Sequence, residues 1–237
     1  MTESLHRHRP GRQRWTALLT LLPLVIAGLG ACSSGPKVPD WSINAVGHVE
    51  RFTEAYLNGN ARVEAREFEL ARAETARTGQ PELVARVELN RCATRVASLV
   101  FESCTGFEAL RADASDVERA YANYLAGEAT PADAALLPAH HRAIAAGTPG
   151  ALNVESIEDP FAQLVAAGVL LRQSAATPDT VATAVDTASR QGWRRPLLAW
   201  LGVQARLAAE RGDAEEAARI RRRMDLVQPS QTDSSKP

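Results

Sequence analysis

Neither sign of charge dominates this 237-residue chain: 27 Lys and Arg stand against 28 Asp and Glu, a formal net charge of −1. That balance argues against a nucleic-acid surface, which needs a clustered positive field. The short patterns that concentrate catalytic chemistry are also missing. There is no Gly-x-Ser-x-Gly elbow, no Gly-rich phosphate loop, no His-Glu-x-x-His and no calcium loop. Histidine is scarce, and His140-His141 is the only adjacent pair. Adjacent helical residues project about 100° apart and do not readily ligate one metal, so surface or partly packed imidazoles are expected there. His48, beside Glu50 and Arg51, reads as part of a solvated face. With only three cysteines and no second Cys/His cluster, neither a zinc site nor any other metal or cofactor is implied.

What is present begins at the N-terminus. Arg7, Arg9, Arg12 and Arg14 face a single acidic residue, Glu3, and residues 15–31 carry no charge at all. A basic segment followed by an apolar one is the pattern of a secretory leader. The apolar stretch is too short for a permanent span of about 20 residues, and Pro23, Gly28 and Gly30 weaken it further as a helix. Immediately after it, Leu29-Gly30-Ala31-Cys32 resembles the lipobox of bacterial lipoproteins, matching every position of that short motif. The resemblance implies recognition of Leu29, Gly30 and Ala31 by the lipoprotein signal peptidase, cleavage before Cys32, and acylation of the cysteine. Two or three acyl chains hold a protein stably on a membrane, where one alone does so marginally. Ser33, in place of the aspartate that in this family marks inner-membrane retention, implies an outer-membrane protein facing the periplasm of the bacterial cell envelope.

The expected organisation is therefore a leader over residues 1–31, a lipidated tether over 32–40, a folded domain over 41–228 and a frayed polar tail over 229–237. Removing the 31 leader residues leaves 206 of the 237, with four fewer arginines and one fewer glutamate, for a charge of about −4. Cys92 and Cys104 would then stand in an oxidising compartment, where a disulfide can persist. On one unbroken helix the 12 residues separating them would span roughly 18 Å, well past the roughly 7 Å limit for a bridge. A bond thus requires a break, which Ser98-Leu99-Val100-Phe101, poor helix material, can supply. Two buried free thiols are the alternative.

Ala, Leu, Arg and Glu dominate the mature sequence, β-branched runs are few, and helix signals punctuate it. Thr130-Pro131, Asp159-Pro160 and Thr177-Pro178 read as starts, a capping side chain followed by proline in the first helical position. Gly59, Gly79, Gly127, Gly147 and Gly192 read as stops. The spacing predicts an all-α protein with helices over 42–57, 61–78, 82–98, 115–126, 131–146 interrupted at Pro138, 160–175, 178–190, 193–211 and 213–227. Trp41, Trp193 and Trp200 are expected in the core. Arg219, Arg221, Arg222 and Arg223 are read as complementing the negative end of the last helix.

Tyr56-Leu57-Asn58-Gly59 and Tyr124-Leu125-Ala126-Gly127 lie 68 residues apart, twice the 34-residue period of a helical-hairpin repeat. Leu201, Ala205, Ala208, the Gly212-Asp213 turn, Ala217 and Pro229 form a similar unit, and Phe52, Ala55, Gly59, Asn60, Phe68 and Ala71 a looser one. These segments resemble the tetratricopeptide repeat family, although Ala208 stands where an aromatic is usual and Arg221 where a large apolar residue is. The resemblance covers about half of the mature chain. It implies stacked antiparallel helical hairpins and a scaffold that binds envelope proteins or their peptides. An envelope enzyme acting on peptidoglycan or lipid, and a binder of a small hydrophobic ligand, are the other functions considered; the latter would show an enclosed apolar cavity.

Overall fold

A computed structural model describes residues 38–147 and 153–228. The predicted leader and lipobox, including Leu29, Gly30, Ala31 and Cys32, and the tail over 229–237 lie outside the described residues. The described residues are all-α, with no strand among them. Paired helices lead: α1 (Asp40–Leu57) packs against α2 (Ala61–Ala76), and α3 (Pro81–Ala97) follows against both. A one-turn α4 (Thr105–Glu108) leads to α5 (Asp116–Ala126), α6 (Pro131–Leu136) and α7 (Ala139–Ala145). A short 3₁₀ turn (Val154–Ser156) precedes α8 (Pro160–Arg172), α9 (Pro178–Gln191), α10 (Arg194–Glu210) and α11 (Ala214–Val227).

The helix starts obey their local chemistry. Thr130 accepts from the Asp133 amide at 3.2 Å while Asp133 accepts from the Thr130 amide at 2.8 Å, a reciprocal box that satisfies two free donors of α6. Thr177 and Thr180 form the same box on α9, and Asp159 caps α8 through the Ala162 amide at 2.6 Å. Gly127 and Gly192 end α5 and α9 in the left-handed region, φ 76° and 70°, where a side chain would be strained. Leu137, forced extended by the following Pro138 (ψ 159°), divides α6 from α7 and buries its side chain in doing so.

At the centre lies α8, whose Ala162–Leu170 stretch is buried on every side. A helix apolar all round belongs in an interior. It packs against α3, α5, α7 and α9. Gly168 permits the closest approach: a Cβ there would stand 2.3 Å from the Val96 carbonyl oxygen. Gln163, buried within this helix, donates to the Val154 and Ile157 carbonyls at 2.9 and 3.2 Å and accepts from Thr187, so the 3₁₀ turn and α9 are fastened to α8.

The hairpins do not run out as an open line. The start of α10 docks on the end of α1: Trp193 donates to Glu54 at 2.9 Å, Arg194 to the Asn58 carbonyl at 2.7 Å and Arg195 to the Tyr56 carbonyl at 2.9 Å. These guanidinium groups satisfy carbonyls at the negative end of α1. Deeper in, Trp200 is fully buried and donates to the Ala97 carbonyl at the end of α3.

Candidate partner-binding groove

A groove runs across α3 from the first turns of α1 to the α6–α7 corner. Its first hollow, about 320 Å³, is walled by Trp41, Ala45, Val46 and Val49 of α1 and by Leu83 and Val87 of α3. The second, about 260 Å³, lies between Leu89 of α3, Val117 and Tyr121 of α5, and Leu136, Leu137 and Pro138. Arg86 and Asn90 border both hollows, which are therefore neighbours. Helical spacing explains this floor, since Leu83, Arg86, Val87 and Asn90 recur at intervals of three and four along one face of α3.

Apolar side chains stand open to solvent along the groove: Val46, Val117 and Leu136 are 56, 46 and 42% exposed. Two of the polar groups among them are already paired. Arg86 donates to Glu118 at 2.6 Å, and Thr53 donates to Asn90 at 3.0 Å. Burial alone would raise the Glu118 carboxyl, but hydrogen bonds from Ser115 and Arg86 outweigh it and hold the pKa below the ordinary range. Glu118 therefore stays ionised, paired with the Arg86 guanidinium. Tyr121 forms the inner wall; burial raises its phenol pKa, so it stays neutral. Behind it, Tyr124 stacks at 6.1 Å between centroids and bonds its hydroxyl to His141 Nδ1 at 3.0 Å.

A second cleft, about 350 Å³ and polar, lies on the other side of α3 beside Cys92 and Cys104. Its guanidinium groups are committed. Arg72 pairs with Glu88 at 2.8 Å, Arg91 with Glu64 at 2.7 Å while lying 4.0 Å over the Phe68 ring, and Arg95 approaches Glu102 at 3.8 Å. The structure joins Cys92 to Cys104, with their Cα atoms 5.9 Å apart. Leu99, at φ 61°, and the bond from the Val100 amide to the Arg95 carbonyl turn the chain back at the end of α3, and α4 begins just after Cys104.

The remaining sequence-singled residues fall as follows. His141 is buried against Tyr124, while His140 is exposed with its ring edge-on to His141 at 4.3 Å. His48 is not simply solvated: its Nδ1 lies 2.7 Å from Glu67 of α2 and 2.7 Å from the Arg51 guanidinium. Trp193 and Trp200 are core residues, whereas Trp41 is half-buried in the groove wall. Arg219 pairs twice with Glu216 at 2.6 Å, Arg223 donates to Ser189 at 3.1 Å, and Arg221 and Arg222 are exposed. No group of three metal-ligating side chains occurs among the described residues, and no described helix is long and apolar enough to cross a membrane. The groove itself was absent from the sequence reading. Its signal was the set of apolar positions left over on α3, α5 and the Pro138 corner, and only tertiary packing brings these together. No protein-family model, curated protein or solved structure matches the chain.

Proposed function

We propose that this protein is an envelope lipoprotein, tethered through acyl chains on Cys32, whose tetratricopeptide-like helical domain is a scaffold for protein–protein interaction. The observation that carries the interaction reading is the pair of neighbouring hollows along α3, with Val46, Val117 and Leu136 exposed and the Arg86–Glu118 pair formed at their shared edge. Such a surface gains by covering apolar area, and the Arg86–Glu118 pair stays intact when a peptide enters. Its two hollows are open rather than enclosed, which suits a peptide laid along α3 better than a small hydrophobic ligand held inside. The basic N-terminus, the uncharged stretch over residues 15–31 and the four lipobox positions support the tether.

Two measurements test the two halves separately. Intact mass and membrane partitioning of the native protein beside Cys32→Ala should show a chain shortened by 31 residues, heavier by acyl groups and detergent-extracted, with the variant unprocessed. An unmodified Cys32 on a soluble protein would end the tether reading. A photo-crosslinking residue at position 117 or 136 should trap a discrete envelope protein, lost when the partner position carries aspartate. Absence of any adduct from both positions, with adducts only from the opposite face, would end the groove reading.

A further inference from the structure

The disulfide between Cys92 and Cys104 is not sealed in the core. Both residues are half-buried and stand in the wall of the polar cleft of about 350 Å³, on the side of α3 away from the groove. Cys104 also borders a second opening, about 230 Å³, that Cys92 does not line. It is thus approachable from two sides, and an incoming thiolate can reach its sulfur without passing Cys92.

The chain beside the disulfide is held lightly. Leu99 sits at φ 61°, a left-handed conformation that costs a side-chain-bearing residue, and Phe101, Glu102, Ser103 and Thr105 are exposed. Among the described residues no backbone bond engages the amides of residues 101–104. Further along, α4 buries Phe107 completely, and Arg111 lies 4.9 Å over that ring while pairing with Glu108 at 2.7 Å and reaching Asn123 of α5 at 3.4 Å. Arg119 of α5 donates back to the Ala114 carbonyl, and Ser115 donates to Glu118, the partner of Arg86 at the groove. Freeing Cys104 therefore acts through α4 on the start of α5.

We propose that this disulfide is a thiol-exchange site, opened in the folded protein by a dithiol reductant, and that its opening loosens α4 and the first turn of α5, the wall that carries Val117. A thiolate of the reductant attacks Cys104 Sγ and forms a mixed disulfide; the bond to Cys92 breaks, and Cys92 Sγ leaves with the electron pair and takes a proton from water. The reductant's second thiolate then displaces Cys104 Sγ, so that the reductant ends as a disulfide and the protein as a dithiol. The bearing on partner binding rests on the groove reading above; the exchange site itself does not.

The test uses the native protein, with dithiothreitol as the dithiol. Reduction of the folded chain should be first order in dithiothreitol and within about tenfold of its rate in urea, whereas a disulfide exposed only by global unfolding would react roughly a thousandfold slower or more. Hydrogen exchange of the reduced protein should then rise about tenfold or more over residues 99–119, with α8 and α10 still protected, and reoxidation should restore the protection. Cys92→Ser with Cys104→Ser, which cannot be bridged, should show the same open pattern without reductant. Reduction limited by global unfolding overturns the exchange site. Unchanged exchange over residues 116–119 overturns the link to α5, as does loss of protection throughout the chain. A photo-crosslink from position 117 should weaken on reduction; an equal adduct in both states also overturns the link, whereas no adduct in either state removes the groove reading alone.

Discussion

Burial pushes the pKa of His141 down to about 3, with repulsion from a charged His140 adding to the effect, and the neutral ring shares a hydrogen bond with the Tyr124 hydroxyl. In the unfolded chain an imidazole titrates near 6.5. The stabilisation is therefore whole above about pH 6.5 and is lost as the pH falls toward 3, because the unfolded state binds the proton first. Glu67, Glu108 and Asp133, whose carboxyls are lowered chiefly by hydrogen bonds, matter only below the ordinary carboxylate range. Between pH 4.5 and 6.5, urea unfolding should show stability falling by up to about 1.4 kcal/mol per pH unit from this group. His141→Gln, which keeps a hydrogen-bonding group near Tyr124 but cannot titrate, should remove most of that slope. Ser174 offers a simpler case. It closes α8 at φ 58°, a conformation that costs a side-chain-bearing residue, and it is exposed. Ser174→Gly should raise stability by roughly 0.5–1 kcal/mol, the relief of left-handed strain less the added freedom of glycine, read as a higher urea midpoint at unchanged slope. Neither feature could be read from the sequence. Its two histidines in a row looked alike, and only the packing of α5 against the α6–α7 corner buries one and leaves the other in solvent.

Among elements, α3 and α8 set the core, and their crossing hangs on one missing side chain. Gly168→Ala would drive a Cβ into the Val96 carbonyl, which is backbone and cannot swing aside. The helices must separate, and thermal or urea unfolding should report a loss of about 1–3 kcal/mol, the usual cost of overpacking. The loop after α3 is constrained by another device. Cys92 and Cys104, 12 positions apart in sequence, close a short loop. Cys92→Ser, or reduction, should cost on the order of 3 kcal/mol through the freedom restored to the unfolded chain. Helix ends were legible in the sequence because their causes are local. The threonine and aspartate caps, the prolines at first positions, the glycine stops and the break at Pro138 each act within four residues, and the observed helices begin and end close to where those signals placed them. The one-turn α4 and the 3₁₀ turn over Val154–Ser156 were not legible. Each is too short to show a period, and the 3₁₀ turn owes its fixation to Gln163 reaching back from α8.

At the scale of the whole molecule, two segments that the sequence sets 68 residues apart occupy like places. Tyr56 and Tyr124 play one part twice, each buried near the end of a helix that a left-handed glycine closes. The contact between α1 and α10 was not legible, because no local pattern announces that these helices will meet across 136 to 139 positions. That contact changes how the molecule should unfold. An open stack of hairpins loses its end units first, each repeat depending only on its neighbours. Here the first helix is bound to the tenth through Trp193, Arg194 and Arg195, with Arg195 also lying 4.3 Å over the Tyr56 ring. Fraying of α1 would thus expose the start of α10 as well. Hydrogen exchange in graded denaturant should give amides of α1 and α10 a common opening free energy and a common denaturant dependence, as expected for one cooperative unit. In Arg194→Ala with Arg195→Ala, the amides of α1 should open at lower denaturant than those of α10. Separate openings already in the unaltered protein would mean that the closing contacts contribute little and that the hairpins act as independent repeats.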